Sequence, residues 1–472
     1  LRNLLNRLSN IKFFDPACGS GNFLIITYKR LRELEIRIWK AMREITGMAL
    51  LPFPNITLTQ FYGIELDEYA AETAMLSMWL AEHQMNVKFQ EELFVLPETL
   101  PLKPSGHIVC GNACRLDWNT ICPHTPEDEV YIMGNPPYLG SKLQDAIQKD
   151  DMKAALSDVK DKKGVDYIAA WFWKGAKYIK ESKAKYAFVT TNSISQGEQV
   201  SMLWKPIFDL GLEIFYARTS FKWSNNAKYN AAVTVAVIGV GNKNNTQKLL
   251  FNEQENKAYK VDNINPYLSA SDNVIVAKTY NIPQGLPKAE FGCMPYDNGH
   301  LLLSESEKNS LLEKYPKSDI FIKRIMGSQE FLNDIRRYCL WIDDDKREEA
   351  ENIPLLRERI AATKDFRLNE SKDGASLANR SHQFREHYVI NEDSKGKVII
   401  PSVSSERRIY IPIGYVDKDT VISNLAFAVY GAEKWLFALL TSRMHNLWVR
   451  TVGGRLKTDY RYSATLCYNT FP

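Results

Sequence analysis

A glycine-containing turn between a short apolar strand and a long helical pattern is the feature that most constrains the fold of this chain. The apolar residues 11–14 run into Asp15, the turn contains Gly19 and Gly21, and residues 23–48 form a Leu-, Arg- and Glu-rich helical pattern. Helical patterns also cover residues 69–83 and 167–180, and strands are predicted at residues 61–66, 108–110, 131–133, 186–190, 213–217 and 232–240. Strands that alternate with helices in this way predict an α/β protein with a doubly wound sheet.

The regular alternation ends near residue 245. The strands predicted at 213–217 and 232–240 follow each other without a helical pattern, so we expect an antiparallel hairpin at the edge of the sheet. Residues 241–245, Gly-Asn-Lys-Asn-Asn, form a polar break rich in turn residues. We therefore predict a first domain at residues 1–245 and a second, mixed α+β domain at residues 246–472.

Composition bounds the compartment and the class of partner. The formal net charge of +4 and the pI near 8.4 permit a basic face but do not by themselves indicate nucleic-acid binding. No apolar run approaches the ~20 residues of a membrane helix, so no membrane partner is expected. Seven cysteines in 472 residues indicate a reducing, cytoplasmic location. Cys110, Cys114 and Cys122 cluster, but their spacing matches no usual zinc pattern and no metal is expected.

Polar residues at the ends of the first three strands predict a site for a nucleotide-like ligand. An open parallel sheet binds its ligand at the carboxyl ends of its strands, where the turn at residues 15–21 lies. Gly19 and Gly21 let a ligand approach the backbone, whose amides are expected to donate to a carboxylate. Glu65 ends the second strand and can accept two ribose hydroxyls, whereas Asp117 follows the third and can accept from an adenine amino group. Taken singly, both acids are better explained as helix caps or surface carboxylates, but acids at successive strand ends favour the site.

The segment Asn135-Pro136-Pro137-Tyr138 predicts a site that handles a planar amino group. Such an amine is a poor nucleophile because its lone pair is delocalised into the ring. The Asn135 side-chain oxygen and the Pro136 carbonyl can accept from its two hydrogens and so localise the lone pair. The two prolines stiffen the backbone, and Tyr138 can stack on the ring. A tight turn or a β-bulge is the structural alternative.

These two segments together resemble the signature motifs of S-adenosylmethionine-dependent amino-methyltransferases. The run Asp-Pro-Ala-Cys-Gly-Ser-Gly is similar to the first motif of DNA methyltransferases of this kind, and Asn-Pro-Pro-Tyr is similar to the catalytic motif of adenine-N6 enzymes. The resemblance implies a Rossmann-like sheet, S-adenosyl-L-methionine as cofactor, a flipped adenine as substrate and a supporting pocket at residues 185–197. It assigns cofactor binding to Asp15, Ala17, Cys18, Gly19, Gly21, Glu65 and Asp117, and catalysis to Asn135, Pro136, Pro137 and Tyr138.

The remaining residues resemble the target-recognition region of the MmeI-like type II restriction–modification enzymes. The segments that carry this resemblance are residues 321–332, 336–341, 403–412, 453–456 and 461–463. Double-stranded DNA is the implied partner, because Arg can pair with guanine and Glu can accept from cytosine. Glu406 and Arg408 are expected at alternate positions of one strand. The expected DNA contacts are Ser405, Glu406, Arg408 and Arg455.

The family also places a nuclease domain and a cofactor-lid motif before the first motif. Only ten residues precede residue 11 here, and the first residue is Leu1 rather than Met. We therefore expect the chain to be the methyltransferase and target-recognition part of a longer protein with an N-terminal nuclease domain.

Two other functions stay open from the residues alone. Asn-Pro-Pro-Tyr also occurs in enzymes that modify guanine amines in RNA and a glutamine amide in proteins, so an RNA or protein amino-methyltransferase is one alternative. The other is a DNA-recognition module whose methyltransferase fold does not catalyse.

Overall fold

The computed structural model separates the chain into two compact units, residues 1–275 and 276–472, which are described in turn. The structure describes residues 1–47, 51–95, 107–160, 164–223, 233–283, 285–370, 372–387, 396–456 and 458–472. Across these ranges, no helix combines the length and the apolar character that crossing a membrane requires.

The first unit is a mixed α/β domain, as its sequence predicts. Its helices are α1 (Arg2–Leu8), α2 (Asn22–Thr46), α3 (Glu68–Leu93), α4 (Trp118–Ile121), α5 (Ala146–Ala155), α6 (Ala169–Ile179) and α7 (Gln199–Asp209). Its strands are β1 (Lys12–Asp15), β2 (Phe61–Glu65), β3 (His107–Cys110), β4 (Val130–Gly134), β5 (Lys185–Thr191), β6 (Leu212–Trp223), β7 (Val233–Asn242), β8 (Lys248–Asn252) and β9 (Lys257–Val261). Among the described residues they form one sheet in the order β3-β2-β1-β4-β5-β7-β6-β8-β9.

Alternate side chains of the parallel strands build a separate core on each face of this sheet. Phe13 of β1 packs in a cluster that includes Leu24 of α2 and Met78 of α3. Its neighbour Phe14 packs in the other cluster, with Trp118 of α4 and Phe172 of α6. Successive residues of a strand point to opposite faces, so a strand with both faces covered is apolar throughout. Helices on both faces make this a doubly wound sheet.

The hairpin of β6 and β7 forms as predicted, but it does not lie at the edge of the sheet. The two strands are antiparallel, and β6 also pairs in parallel with β8, which pairs in turn with β9. The polar break at 241–245 thus begins at the end of β7 and continues into the connection to β8 within one sheet. The compact unit continues to Ile275, thirty residues beyond the boundary expected at residue 245.

The second unit is a mixed α+β structure built on small sheets. Its helices are α8 (Glu305–Lys314), α9 (Ser328–Asn333), α10 (Arg347–Glu351), α11 (Pro354–Glu370), α12 (Lys372–Ser376), α13 (Lys434–Leu440) and α14 (Arg443–Val452). Its strands are β10 (Ala289–Phe291), β11 (Leu302–Ser304), β12 (Ile322–Met326), β13 (Arg337–Leu340), β14 (Lys397–Pro401), β15 (Val403–Ser404), β16 (Gly414–Val416), β17 (Val421–Ile422), β18 (Ala426–Tyr430), β19 (Gly454–Leu456) and β20 (Asp459–Arg461). The described sheet orders are β10-β18-β14-β16, β11-β13-β12-β17 and β15-β20-β19.

A buried arginine joins the irregular segments of the second unit. The guanidinium of Arg367, on α11, is fully buried and donates to five backbone carbonyls at 2.7–3.0 Å. The acceptors are the carbonyls of Pro295, Tyr296, Leu377, Arg380 and Gln383. Arginine has five N–H donors in a rigid plane, so every donor is satisfied and the cost of burying the charge is partly offset. Segments without regular hydrogen bonding are thereby held in one arrangement.

Candidate active site and candidate DNA interface

The glycine turn and the Asn-Pro-Pro-Tyr segment lie side by side at the carboxyl edge of the sheet. The turn follows β1 and the second segment follows β4, and these two strands are parallel neighbours. In the order β3-β2-β1-β4-β5 the direction of strand addition reverses between β1 and β4. A crevice opens at such a reversal, and open α/β sheets bind their ligands there. The two motifs predicted from the sequence therefore meet at the place where a ligand site is expected.

Asp15 is the charged residue at the centre of this crevice, and it is fully buried. Its Oδ1 atom accepts from the Ala17 amide at 3.0 Å, whereas its Oδ2 atom has no hydrogen-bond partner among the described residues. Burial, with a smaller contribution from the Glu65 charge, raises the pKa of the Asp15 carboxyl to about 7. A buried acceptor without a donor is costly, so this atom is suited to a donor from a ligand.

Two of the backbone amides of the turn already donate within the protein and are therefore not open to a ligand carboxylate. The Cys18 amide donates to the Ile64 carbonyl at 3.0 Å, and the Gly21 amide donates to the Cys18 carbonyl at 2.8 Å. The Cys18 thiol is also buried, and a Cβ atom added at Gly63 would lie 3.0 Å from its sulfur. Cys18 thus packs the turn against β2, and neither its thiol nor its amide is available to bind a cofactor.

Glu65 lies at the end of β2, where the sequence placed it, and it contacts the turn directly. Its Oε2 atom accepts from the Gly19 amide at 2.8 Å and its Oε1 atom from the Asp67 amide at 3.1 Å. Each carboxylate oxygen has a further lone pair, so the group can still accept ribose hydroxyls. Gly19 and Gly21 have φ values of +53° and +85°, which an L side chain rarely adopts. The left-handed turn therefore brings the backbone of Gly19 up to the carboxylate.

Asp117 does not lie at a strand end. The third strand stops at Cys110, and Asp117 caps α4 by accepting from the Asn119 amide at 3.0 Å. It lines a surface cleft of about 610 Å³ together with Lys174 and other residues of α4, α5 and α6, a cleft that includes none of the residues of the turn. The helix-cap alternative is therefore the observed one.

Asn112 is the polar residue that follows β3 closely, and it is not among the residues predicted to bind the cofactor. Its Oδ1 atom accepts from the Cys114 amide at 2.9 Å, and its Nδ2 atom donates to the buried carboxylate of Asp151 at 2.9 Å. Asp151 also accepts from Arg115 at 2.7 Å and from the Tyr167 hydroxyl at 3.0 Å. In the sequence, the Gly111-Asn112 pair directly after the predicted strand indicates a polar side chain at this position.

Asn135 and Tyr138 lie in irregular backbone after β4. The Asn135 Oδ1 atom is buried and lacks a hydrogen-bond partner within the described ranges. Pro136 is buried, Pro137 is exposed and Tyr138 is half-buried, and the described chain has no cis peptide bond. Burial and, to a smaller extent, the nearby Asp166 carboxylate raise the pKa of the Tyr138 hydroxyl. The segment thus offers an unpaired carbonyl oxygen and an aromatic ring in sequence.

The predicted DNA contacts in the second unit lie in one region, but not on one strand. Strand β15 ends at Ser404, and residues 405–408 form a turn in which the Arg408 amide donates to the Ser405 carbonyl at 3.1 Å. Glu406 and Arg408 are exposed. The expectation of alternate positions along a strand is therefore wrong, because the strand ends before the charged run begins. Arg455 lies on β19, and its guanidinium stacks 3.8 Å from the ring centre of Tyr460.

Side chains at both ends hold the turn and the residues after it. At the start, the Glu406 amide donates to Asp459 Oδ1 at 3.2 Å. At the end, Asn446 of α14 accepts from the Ile411 amide at 3.0 Å and donates to the Ile409 carbonyl at 2.9 Å. Arg450 donates to the same carbonyl at 3.2 Å. The exposed side chains are thus displayed from a backbone fixed at its two ends.

Comparisons with known proteins also divide the chain into an N-terminal and a C-terminal part. Residues 1–252 match the family described as MmeI, DNA-methyltransferase domain, and residues 270–472 match MmeI, target recognition domain. DNA methyltransferase A of Bacillus subtilis is 48% identical over 475 residues, which is 100% of this chain and 53% of that protein. The structure of the type IIL restriction–modification enzyme MmeI in complex with DNA superposes with a TM-score of 0.83 at 38% identity, covering 100% of this chain and 64% of that one.

Proposed function

The chain belongs to the MmeI family of DNA methyltransferases, and from this premise we propose that it transfers a methyl group from S-adenosyl-L-methionine to the N6 amino group of an adenine in a specific DNA sequence. The adenine is flipped out of the duplex, because a stacked base cannot enter a crevice at a strand edge.

The observation that carries the proposal is the contact between the two motifs at the switch point of the sheet. The crevice presents Asp15 and Glu65 from β1 and β2 beside the segment that follows β4. S-adenosylmethionine carries an ammonium group and ribose hydroxyls, which suit a buried carboxylate with an unpaired oxygen and a carboxylate at a strand end. When bound, the cofactor supplies an electrophilic methyl group. Gly19, Gly21 and the backbone of Ala17 lie where the cofactor approaches the turn.

Asn135 and its neighbours orient the amine in this proposal. The Asn135 side-chain oxygen and the Pro136 carbonyl accept from the two amine hydrogens, which localises the lone pair for attack. Tyr138 stacks on the base, and the trans prolines hold these groups in register. The amine loses a proton after transfer, so a strong general base is not required. The buried, unpaired Oδ1 atom of Asn135 supports this assignment.

The test is methyl transfer from labelled S-adenosylmethionine to duplex DNA, with the product nucleoside identified by mass spectrometry. We expect N6-methyladenine from the wild-type protein and a loss of transfer of at least about 10²-fold in Asn135→Ala, with DNA binding retained. Asn135→Asp is the matched variant, because it keeps an acceptor but adds a charge. Full activity in Asn135→Ala, or a different methylated nucleoside, would refute the assignment.

The turn after β15 reads the target sequence in this proposal. Glu406 can accept from cytosine and Arg408 can pair with guanine, and both are exposed on a turn whose backbone is fixed. Arg455 and Ser405 lie in the same region and add contacts to the DNA. Exchanging Glu406 and Arg408 should change the methylated sequence, which sequencing of methylated genomic fragments would detect. An unchanged sequence in the exchanged protein would contradict the reading role.

Restriction activity is a separate proposal about the whole protein. The chain spans 53% of its Bacillus subtilis relative and 64% of MmeI, the latter a restriction–modification enzyme. We infer that the full-length protein also cleaves DNA through a nuclease domain outside these residues. Incubation of the full-length protein with unmethylated DNA and Mg²⁺ would show fragments of defined length, and intact DNA would count against the inference.

A further inference from the structure

The buried carboxylate of Asp166 joins the segment after β4 to the segment after β5. Its Oδ1 atom accepts from the Leu139 amide at 2.8 Å, and its Oδ2 atom accepts from the Ser193 hydroxyl at 3.2 Å. The Ser193 hydroxyl lies 2.7 Å from that of Thr191, the last residue of β5. One side chain therefore links the residue after Tyr138 to the loop that the sequence assigned to the target-base pocket.

Leu139 is held on both sides of its peptide unit. While its amide donates to Asp166, its carbonyl accepts from the Tyr167 amide at 3.0 Å and from Gln144 Nε2 at 2.9 Å. Gln144 is itself buried and donates a second bond to the Val165 carbonyl at 3.2 Å. The backbone position that follows Tyr138 is thus fixed by three contacts, of which the one to Asp166 reaches across to β5.

Asp166 is a buried charged residue with more contacts than a residue in a simple turn needs. The residue is 5% exposed, and its own amide donates to Gln199 Oε1 on α7 at 2.9 Å. Burying a carboxylate among neutral donors costs free energy that an uncharged residue would avoid. The alternative role, a cap on the turn before α6, rests on a longer contact of 3.4 Å from Oδ1 to the Ile168 amide. The two shorter contacts point toward the site.

We propose that Asp166 is a positioning residue that fixes Tyr138 and the loop at residues 191–195 around the flipped base. The inference rests on the proposed adenine methyl transfer. Removing the carboxylate frees the Leu139 amide and the Ser193 hydroxyl together. The catalytic segment then shifts relative to the loop, so the rate of the chemical step falls while the affinities for DNA and cofactor are kept.

The test compares Asp166→Ala, Asp166→Asn and Ser193→Ala in single-turnover methyl transfer. A displacement near 1 Å costs about 10²-fold in rate, so we expect that loss in Asp166→Ala with dissociation constants within about threefold. Asp166→Asn keeps an acceptor for the Leu139 amide and should restore most of the rate. Ser193→Ala alone should lower the rate of methyl transfer relative to the wild type. Combined with Asp166→Ala, it should lower the rate no further than Asp166→Ala does by itself. When 2-aminopurine replaces the target adenine, its fluorescence in the complex with Asp166→Ala should differ from that in the complex with the wild type.

Glu213 provides the matched control. It is a buried carboxylate of β6 in the same unit, paired with Lys248 at 2.6 Å. Glu213→Gln should lower the unfolding temperature and leave the rate of the folded protein unchanged. Absence of transfer by the wild type overturns the proposed function and this inference with it. Transfer by the wild type and an equal rate in folded Asp166→Ala overturns the inference alone, as does an equal loss of rate in Glu213→Gln.

Discussion

Replacing Gly134 with alanine tests how closely the two motifs of the site depend on each other. A Cβ atom at this position would lie 2.4 Å from Asp15 Oδ1 and 3.1 Å from its Cγ atom, whereas ordinary contacts begin at 3.4 Å. Asp15 is fully buried and its Oδ1 atom is held by the Ala17 amide. The carboxylate cannot swing into solvent, so the end of β4 or the turn after β1 must move by about 1 Å.

The magnitude follows from that displacement. Gly134 directly precedes Asn135, so the shift is passed to the residue proposed to hold the amine. A misplacement of about 1 Å costs about 10²-fold in rate, and overpacking a well-packed core costs about 1–3 kcal/mol of stability. We expect Gly134→Ala to remain folded at 25 °C with a methyl-transfer rate lowered by about 10²-fold.

Gly140, six residues later in the same segment, is the matched control. A Cβ atom there would meet nothing within 4 Å, and its φ is not in the left-handed region. Gly140→Ala should keep the wild-type rate and gain about 0.4–1 kcal/mol through the unfolded state. The rates are measured by single-turnover methyl transfer and the stabilities by urea unfolding, for the wild type, Gly134→Ala and Gly140→Ala. Equal rates in folded Gly134→Ala and the wild type would refute the reasoning.

Two other predictions concern pH and target reading. The Asp15 carboxyl has a raised pKa of about 7, so a cationic cofactor that lowers it must release a proton. Affinity for S-adenosylmethionine should therefore rise with pH up to about 7 and level off above it, and calorimetry in buffers of different ionisation enthalpy should show proton release that Asp15→Asn abolishes. In Asn446→Ala the Ile411 amide loses its partner, which costs about 1–3 kcal/mol if the amide is left unsatisfied, and the Ile409 carbonyl keeps its contact with Arg450 at 3.2 Å. Methylation of sites that differ from the target by one base pair should rise relative to methylation of the target itself. An unchanged ratio would show that target reading by the turn at residues 405–408 does not need the contacts of Asn446.

Local patterns in the sequence were sufficient for the α/β order and for the positions of both motifs. Apolar runs that stop at a turn predict strand ends, and the turn at residues 15–21 and Asn135 follow β1 and β4 as expected. The reason is that strand and helix periodicity is a property of neighbouring residues. The resemblance of both parts of the chain to one family is confirmed by the two family matches.

The tertiary structure decided which polar residue reaches each site. Asp117 caps α4 although β3 ends at Cys110 as predicted, and Glu406 and Arg408 lie on a turn because β15 stops at Ser404. Periodicity is least informative about where a strand stops, so the strand expected to carry Glu406 and Arg408 ends at Ser404 instead. The end of β3 was predicted correctly, and only the path of the chain after Cys110 places Asp117 at the start of α4.

Contacts distant in sequence depended on the fold alone. Asp166 bonds to residues 27 positions before it and 27 positions after it, Leu139 and Ser193. Nothing in the intervening residues marks this link, because it exists only where the parallel strands β4 and β5 lie side by side. By itself, the sequence therefore determined the order of the elements and the chemistry available at their ends. The pairing of the strands decided which of those groups meet, because pairing sets distances that no local pattern contains.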